Sequence, residues 1–382
     1  MVMATVEIHG SCAPGYEPVR DVFLSHFEQG LEVGASVAVT RDGASVVDLW
    51  AGAARPDGTP WSQDTIVNVY STTKTMAATT VLMLADRGEI DLDAPVARYW
   101  PEFAQNGKDG VLVRHVMSHS AGLSGFDPPL RSVEQLYDGE AICDALARQA
   151  PWWEPGTASG YHAFTQGFLQ GEIVRRISGR TLGNFFREEV AEPLGADFHI
   201  GLDERHDARV AELVPPKEPL GTDSADSDSV ASRTLASLKL DGTEPRTAAW
   251  RRAEIPAGGG HGNARSVARV LSALACGGSV DGVRLLSEAG VERILEEQTR
   301  GVDLVTGVPL VFGMGFGLSD PLTPISPNER AFFWAGWGGS MAVVDLDLRT
   351  SVAYAMNRME GGLAGGDLRG GVLAATALAC TP

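Results

Sequence analysis

No window of about 20 consecutive apolar residues occurs in the chain, so a membrane-spanning helix is not expected. The first residues, MVMATVEIHG, lack a basic stretch followed by an apolar one. A secretory leader is therefore not expected, and the cytoplasm is the default location. Cysteines number four, Cys12, Cys143, Cys276 and Cys380, with no C-x-x-C pair and no Cys/His cluster at zinc-ligand spacing. No metal centre or other cofactor is expected from them. A Cys12–Cys380 bridge would join the chain ends, but nothing indicates export. Positive charge is in deficit: 31 Lys and Arg against 49 Asp and Glu leave a net charge of −18. Such a surface repels phosphate backbones and anionic headgroups, which argues against nucleic-acid and membrane partners. Like charges nowhere gather into a run, so the acidity reads as a solvated surface.

What is present is an ordinary globular balance, 44% apolar and 21% charged over 382 residues, enough for one large or two moderate domains. Helical spacing of Val19, Phe23 and Phe27 marks a helix over 17–30. Two β-rich runs follow, GASVAVTRD and ASVVDLWAGA, parted by Asp42-Gly43, a strong hairpin signal. Residues 71–87 read as a helix apolar on nearly every side, hence buried, with Gly88 as its stop. Residues 111–186 read as mostly helical with loops. Between 201 and 256 the sequence is irregular, either a cap over a site or a long surface excursion. Strands are expected in AFFWAGWGGSMAVVDLDLRTSVAYAMNRM, turning at 345–350, and a helix over 363–380.

These elements predict an α+β fold in which one antiparallel sheet is assembled from both termini and covered by terminal helices. The sheet domain is discontinuous, 1–60 and 310–382, and 61–309 forms a mainly helical domain with an irregular insertion near 201–256.

Three motifs carry chemistry. Ser71 and Lys74 in Tyr70-Ser71-Thr72-Thr73-Lys74 are three apart, so a helix places them on one side. A serine hydroxyl needs a base to become a nucleophile, and a lysine serves if burial lowers its pKa. Unpaired N–H groups at the helix start favour an oxyanion. The alternative is a capping serine with a solvated lysine. Against it stand the apolar helix and the scarcity of lysine, four against 27 arginines. The second motif, Pro155-Gly156-Thr157-Ala158-Ser159-Gly160-Tyr161-His162-Ala163, is a loop that aims Tyr161 either at a site or into a core. A phenol beside a lysine ammonium is favoured as its anion and acts as a base. The third, Gly336-Trp337-Gly338-Gly339-Ser340, enters a strand, and its glycines admit close backbone approach or form a tight turn.

Taken in this order and at these separations, the motifs resemble the serine β-lactamase and penicillin-binding-protein superfamily. VRHVMSHSAGL (113–123), EPGTASGYH (154–162), GGGHGNARSVARV (258–270) and MNRM (356–359) are similar to the branch of class C β-lactamases and family VIII carboxylesterases. The resemblance implies a β-lactamase-like fold, Ser71 as nucleophile, Lys74 as its proton partner and Tyr161 as base. The backbone N–H groups of Ser71 and Ser340 would form the oxyanion hole. Two departures stand out. Tyr161 is followed by His162 and Ala163, so the asparagine of Tyr-x-Asn is missing. Trp337-Gly338-Gly339 replaces Lys-Thr-Gly, which removes a carboxylate-binding lysine and offers an apolar wall. Both favour neutral acyl esters as the small-molecule partner over lactams, and the Trp-Gly-Gly form is that of family VIII esterases. The G-x-S-x-G elbow of α/β-hydrolases is absent. An amidase, D-aminopeptidase, transacylase or β-lactamase on the same scaffold, or a silent binding protein, are the alternatives. Trp337, Gly338, Gly339, His162 and Phe126 are the candidate substrate-binding residues. Phe126 and Trp334 line an acyl pocket or belong to the core, and His162 lines the pocket or tunes Tyr161. His115 and His119 are expected to pack rather than react, and His261 to be a loop residue near the site. The oligomeric state is not legible.

Overall fold

A computed structural model of the chain describes residues 6–217, 228–321, 323–361 and 367–380. After β1 (His9–Cys12) and α1 (Glu17–Glu28) the chain forms a hairpin of β2 (Gly34–Arg41) and β3 (Ala44–Gly52). Its turn is the expected Asp42-Gly43, with φ of 50° and 81°. Two consecutive left-handed residues match the twist of the flanking strands. The rest of the sheet comes from late in the chain. It comprises β4 (Thr299–Val302), β5 (Pro309–Phe312), β6 (Gly317–Leu318), β7 (Ala331–Ala335), β8 (Met341–Asp345) and β9 (Thr350–Met356). The order across the nine strands is β1-β3-β2-β9-β8-β7-β6-β5-β4. All pairs are antiparallel, and β2 meets β9 from Ala35↔Met356 to Arg41↔Thr350. The two ends of the chain thus build one sheet, as the hydrophobic runs predict. β4 joins it from ahead of residue 310.

Every residue of β9 is buried, because both faces of the sheet are covered. On one face the helix over Ala264–Ala275 is fastened by Ser351, whose Oγ donates to the Ala268 carbonyl at 2.8 Å. On the other lies the helix over Arg369–Ala379, which packs on β9 and on α1. The C-terminal helix was expected over 363–380; residues 362–366 lie outside the described residues.

Beside the sheet runs α2 (Thr73–Asp86), in which residues 73–84 are all buried. Its threonines would leave hydroxyls unpartnered. Instead Thr75, Thr79 and Thr80 donate to the carbonyls of Thr72, Thr75 and Met76 at 2.7, 2.8 and 3.0 Å. Gly88, at φ 76°, follows the helix end. α3 (Thr165–Ser178) packs against α2. In the 201–256 stretch, 218–227 lie outside the described residues, while Trp250 is fully buried in the core. That stretch therefore contributes packing as well as surface. All four cysteines are free thiols, and no helix among the described residues is long and apolar enough to cross a membrane.

A second lysine is also buried. Lys108 Nζ donates to the carbonyls of Gln105 (2.8 Å), Ala147 (3.0 Å) and Gln149. It ties a loop to the end of a neighbouring helix and lies far from any hydroxyl nucleophile in its bonding. Lys108→Met should leave three carbonyls short of donors and cost about 3 kcal/mol. Denaturant titration would read that loss, while the activity of the folded fraction stays at the wild-type level.

Candidate active site

The turn that carries Ser71 is short and strained. Tyr70–Thr72 forms a single 3-10 turn that runs directly into α2. Tyr70 adopts φ 41°, a conformation that costs an aromatic residue free energy unless its surroundings enforce it. Asn68 does so. Its Oδ1 accepts from Tyr70 N at 3.2 Å, and its Nδ2 donates to the Gly258 and Gly260 carbonyls at 3.1 and 3.3 Å. Gly260 N donates in turn to Thr73 Oγ1 at 3.0 Å. A Cβ on Gly260 would stand 2.4 Å from that oxygen, which explains a glycine here. Ser71 is left partly exposed between buried neighbours.

Ser71 Oγ receives two groups. Lys74 Nζ lies at 3.1 Å and the Tyr161 hydroxyl at 2.6 Å. Lys74 also donates to the carbonyls of Ala163 (2.6 Å) and Ala257 (2.9 Å). Two of three tetrahedral directions on Nζ are thereby occupied by acceptors, and the third points at Ser71. When the amine is neutral, that third direction is its lone pair. Burial drives Lys74 toward neutrality, pushing its pKa well below the ordinary lysine value. The same cause acts oppositely on Tyr161, whose phenol is pushed up from the usual tyrosine value. The sequence leads one to expect a phenolate beside an ammonium. Desolvation dominates instead and favours both groups uncharged, an amine and a phenol.

Tyr161 is held from behind. Its backbone N–H donates to Asp303 Oδ1 at 3.1 Å, and the same oxygen accepts from Val305 N (3.0 Å) and Thr306 N (2.9 Å). Its ring belongs to a small apolar cluster with Val305, Leu310, Phe312 and Trp334, separate from the main core. The Lys74 ammonium position is 4.9 Å from the ring centroid.

Ser340 approaches from the opposite side. Its Oγ donates to the Val69 carbonyl at 2.8 Å and pairs with Thr72 Oγ1 at 2.9 Å. The segment Trp337-Gly338-Gly339 is the tip of the β7–β8 hairpin, with Gly336 N donating to the Ser340 carbonyl at 2.7 Å. Ser340 N–H therefore sits next to the turn that carries Ser71, whose own N–H lies in the first turn before α2. Trp337 is buried against Tyr70, ring centroids 5.0 Å apart, in the main core. Gly338 and Gly339 hold φ of 94° and 124°, and their vacant Cβ positions face Met359 and Asp367. Phe126 is also in the main core. Trp334, in contrast, packs on Tyr161 at 5.3 Å.

The histidines work as struts. His162 Nε2 accepts from Leu123 N (3.1 Å) and Nδ1 donates to the Gly160 carbonyl (2.6 Å). Both ring nitrogens are occupied, and burial holds its pKa down at about 3. It stays neutral and locks the loop that presents Tyr161. His119 Nδ1 accepts from His162 N at 3.0 Å, and its ring lies 5.0 Å from that of Tyr161. His115 Nδ1 accepts from Leu112 N at 3.2 Å. His261 is in a short strand pairing with Asn68 rather than in a loop. Among the described residues no His, Cys, Asp or Glu group is arranged to hold a metal ion.

Several participants are invisible to motif reading. The two carbonyls that orient Lys74 belong to alanines, and backbone acceptors carry no sequence signal. Asp303 has a faint one, since Asp followed by Thr306-Gly307 suggests a side-chain-capped turn.

Known proteins share this arrangement of chain. The β-lactamase family model matches residues 23–376. The esterase/β-lactamase LipL of Mycobacterium tuberculosis is 37% identical over 370 residues, covering 92% of this chain and 83% of LipL. The crystal structure of a family VIII carboxylesterase superposes with a TM-score of 0.91 at 42% identity, covering 98% of this chain and 100% of that one. A penicillin-binding protein homologue from Caulobacter crescentus gives 0.91 at 40% identity, with the same coverage. The chain therefore belongs to the β-lactamase family, in the branch that holds the family VIII carboxylesterases.

Proposed function

We propose that the protein is a serine carboxylesterase that hydrolyses small to medium acyl esters through an acyl-enzyme on Ser71. The observation that carries the reading is the convergence of Lys74 Nζ and the Tyr161 hydroxyl on one oxygen, at 3.1 and 2.6 Å. Neutral Lys74 takes the Ser71 proton as Oγ attacks the ester carbonyl. The backbone N–H groups of Ser71 and Ser340 receive the oxyanion. Tyr161, a neutral phenol, gives its proton to the departing alkoxide. The Lys74 ammonium then returns the proton to the phenolate, restoring the pair. Water follows the alcohol's path in reverse, giving one proton to the pair as it attacks and releasing the acid. Ser71 Oγ leaves with a proton from the same pair.

Substrate charge follows from what surrounds the nucleophile. No lysine occupies the turn before Ser340, and Trp337 there is packed away on Tyr70. Ala163, where Tyr-x-Asn carries its side-chain amide, offers only a methyl, and the neighbouring His162 has both ring nitrogens committed to backbone. A lactam carboxylate or acylamino group thus lacks its usual partners, whereas the apolar cluster around Tyr161 suits a plain acyl chain. The esterase name of EstB from Burkholderia gladioli, 29% identical over 376 residues, supports the same choice, while the name of LipL pairs esterase with β-lactamase.

The test offers p-nitrophenyl esters from acetate to dodecanoate, nitrocefin and a D-alanyl anilide side by side. Short and medium esters should exceed the other two in kcat/KM by about 100-fold or more, a difference of ~3 kcal/mol in transition-state binding. A preference for nitrocefin or the anilide would replace the esterase reading with a lactamase or amidase one. Failure of Ser71 to react with a fluorophosphonate would favour a silent binding protein.

A further inference from the structure

Behind the glycine turn lies a buried guanidinium. Arg369 opens the C-terminal helix and is 5% exposed. Nη1 donates to the Leu31 carbonyl and to Glu32 Oε2, both at 2.9 Å. Nε donates to Asp367 at 3.0 Å. Nη2 reaches Asp367 Oδ2 (2.5 Å), the Arg358 carbonyl (2.9 Å) and the Gly338 carbonyl (3.1 Å). All five N–H groups are used, so the fork is fixed in orientation. Asp367 stands flush against the turn: a Cβ on Gly339 would lie 1.8 Å from its Oδ2.

The consequence runs through two residues. Gly338 is gripped by Arg369 through its carbonyl. Ser340, two positions on, is gripped by the Ser71 turn through its hydroxyl, to Val69 and Thr72. Between these anchors, glycines at φ 94° and 124° have no side chain to limit their motion. Glu360 N also reaches the Gly338 carbonyl at 3.2 Å and Gly339 N the Gly336 carbonyl at 3.0 Å, so loss of the charged donor loosens the turn that aims the Ser340 N–H rather than releasing it.

We propose that Arg369 is a positioning residue, which fixes the Gly338 carbonyl and so holds the Ser340 N–H on the oxyanion that develops during attack by Ser71. This rests on the esterase reading above. It assigns a catalytic consequence to a charge cluster that otherwise looks like a clasp for the C-terminal helix.

Arg369→Lys tests it, because an ammonium keeps the charge but lacks the planar fork that spans Gly338, Arg358 and Asp367. Wild type and variant are compared by kcat and KM on p-nitrophenyl butyrate and by inhibition with a trifluoromethyl ketone, which forms a tetrahedral adduct. A misplaced oxyanion donor should lower kcat by about 10- to 100-fold. KM should stay within about twofold, since ground-state binding is untouched. Ketone affinity should fall in parallel with kcat, an outcome that simple loosening of a helix does not produce. A folded Arg369→Lys protein with wild-type kcat and ketone affinity overturns the inference. Should that variant not fold, Arg369→Gln, which keeps a buried amide but cannot reach Glu32, Asp367 and the Gly338 carbonyl together, must show the same parallel loss; wild-type values there overturn it equally. An inactive wild-type enzyme would instead strike at the esterase reading itself, so the two failures are distinguishable.

Discussion

Replacing Ser71 by alanine is expected to lower kcat/KM for p-nitrophenyl butyrate by about 10⁴-fold or more. Fluorophosphonate labelling should vanish at the same time. The size follows from the geometry. Lys74 and Tyr161 both spend a hydrogen bond on Ser71 Oγ, and no other hydroxyl enters the bonds of Lys74. Without Oγ there is no atom for either group to activate. Stability should change little, by about 1 kcal/mol for the lost hydrogen bonds. A thermal melt alongside the kinetics keeps unfolding from passing as loss of chemistry. An alanine variant with full activity would mean that hydrolysis occurs elsewhere on the molecule.

The second large effect concerns the pair that moves the proton. Tyr161→Phe should lower kcat by about 10³-fold, within the range for removing a positioned acid–base group. Its ring keeps the contact with Trp334 and its N–H keeps Asp303, so the loss isolates the hydroxyl. Lys74→Arg is the sharper variant, because guanidinium stays protonated at every accessible pH. A lysine that acts only through its charge would be replaced with little harm, whereas a base would not. The wild-type pH profile follows from the direction of each shift. The acid limb reports loss of a proton from Lys74 and should fall well below the ordinary lysine value. Any alkaline limb reports ionisation of Tyr161, which burial pushes above the ordinary tyrosine value. Activity should therefore rise with pH along an acid limb displaced below the ordinary lysine range and hold a plateau up to an alkaline limb displaced above the ordinary tyrosine range. An acid limb at the ordinary lysine value, or full activity in Lys74→Arg, would remove the amine from the role of base.

Much of this molecule can be read from residue order alone, for identifiable reasons. Asp42-Gly43 and the flanking β-branched runs dictate a hairpin through local sterics. The i, i+3 spacing of Ser71 and Lys74 needs only helical geometry to bring the two together. Where position depends on distant packing, reading falters. Trp337 and Phe126 are large and apolar near chemical motifs, which suits a pocket wall equally well, yet the fold seats both in the main core. Scarcity of lysine draws attention to Lys74, but the equally buried Lys108 meets the same criterion and bonds only to carbonyls. What separates them is a hydroxyl neighbour, which is three residues away for one and absent for the other. Asp303, Ala163 and Ala257 reach the site through tertiary folding and backbone atoms. The direction in which burial pushes the pair also lies outside sequence reasoning, because desolvation is a property of the finished interior.

The seam between β2 and β9 has a consequence for biosynthesis. Arg41 and Thr350 are hydrogen-bonded partners 309 residues apart in sequence. During translation the β2–β3 hairpin emerges early, with an apolar strand whose mate has not yet been made. At about 5 to 20 residues per second, that open edge waits on the order of tens of seconds. Over that interval an unpaired strand is a template for association with other nascent chains. Sheet completion, and with it the hairpin tip that brings Ser340 to Ser71, is thus a late event in folding. Yield in a cell should be governed by how the waiting edge is shielded as much as by the stability of the finished protein.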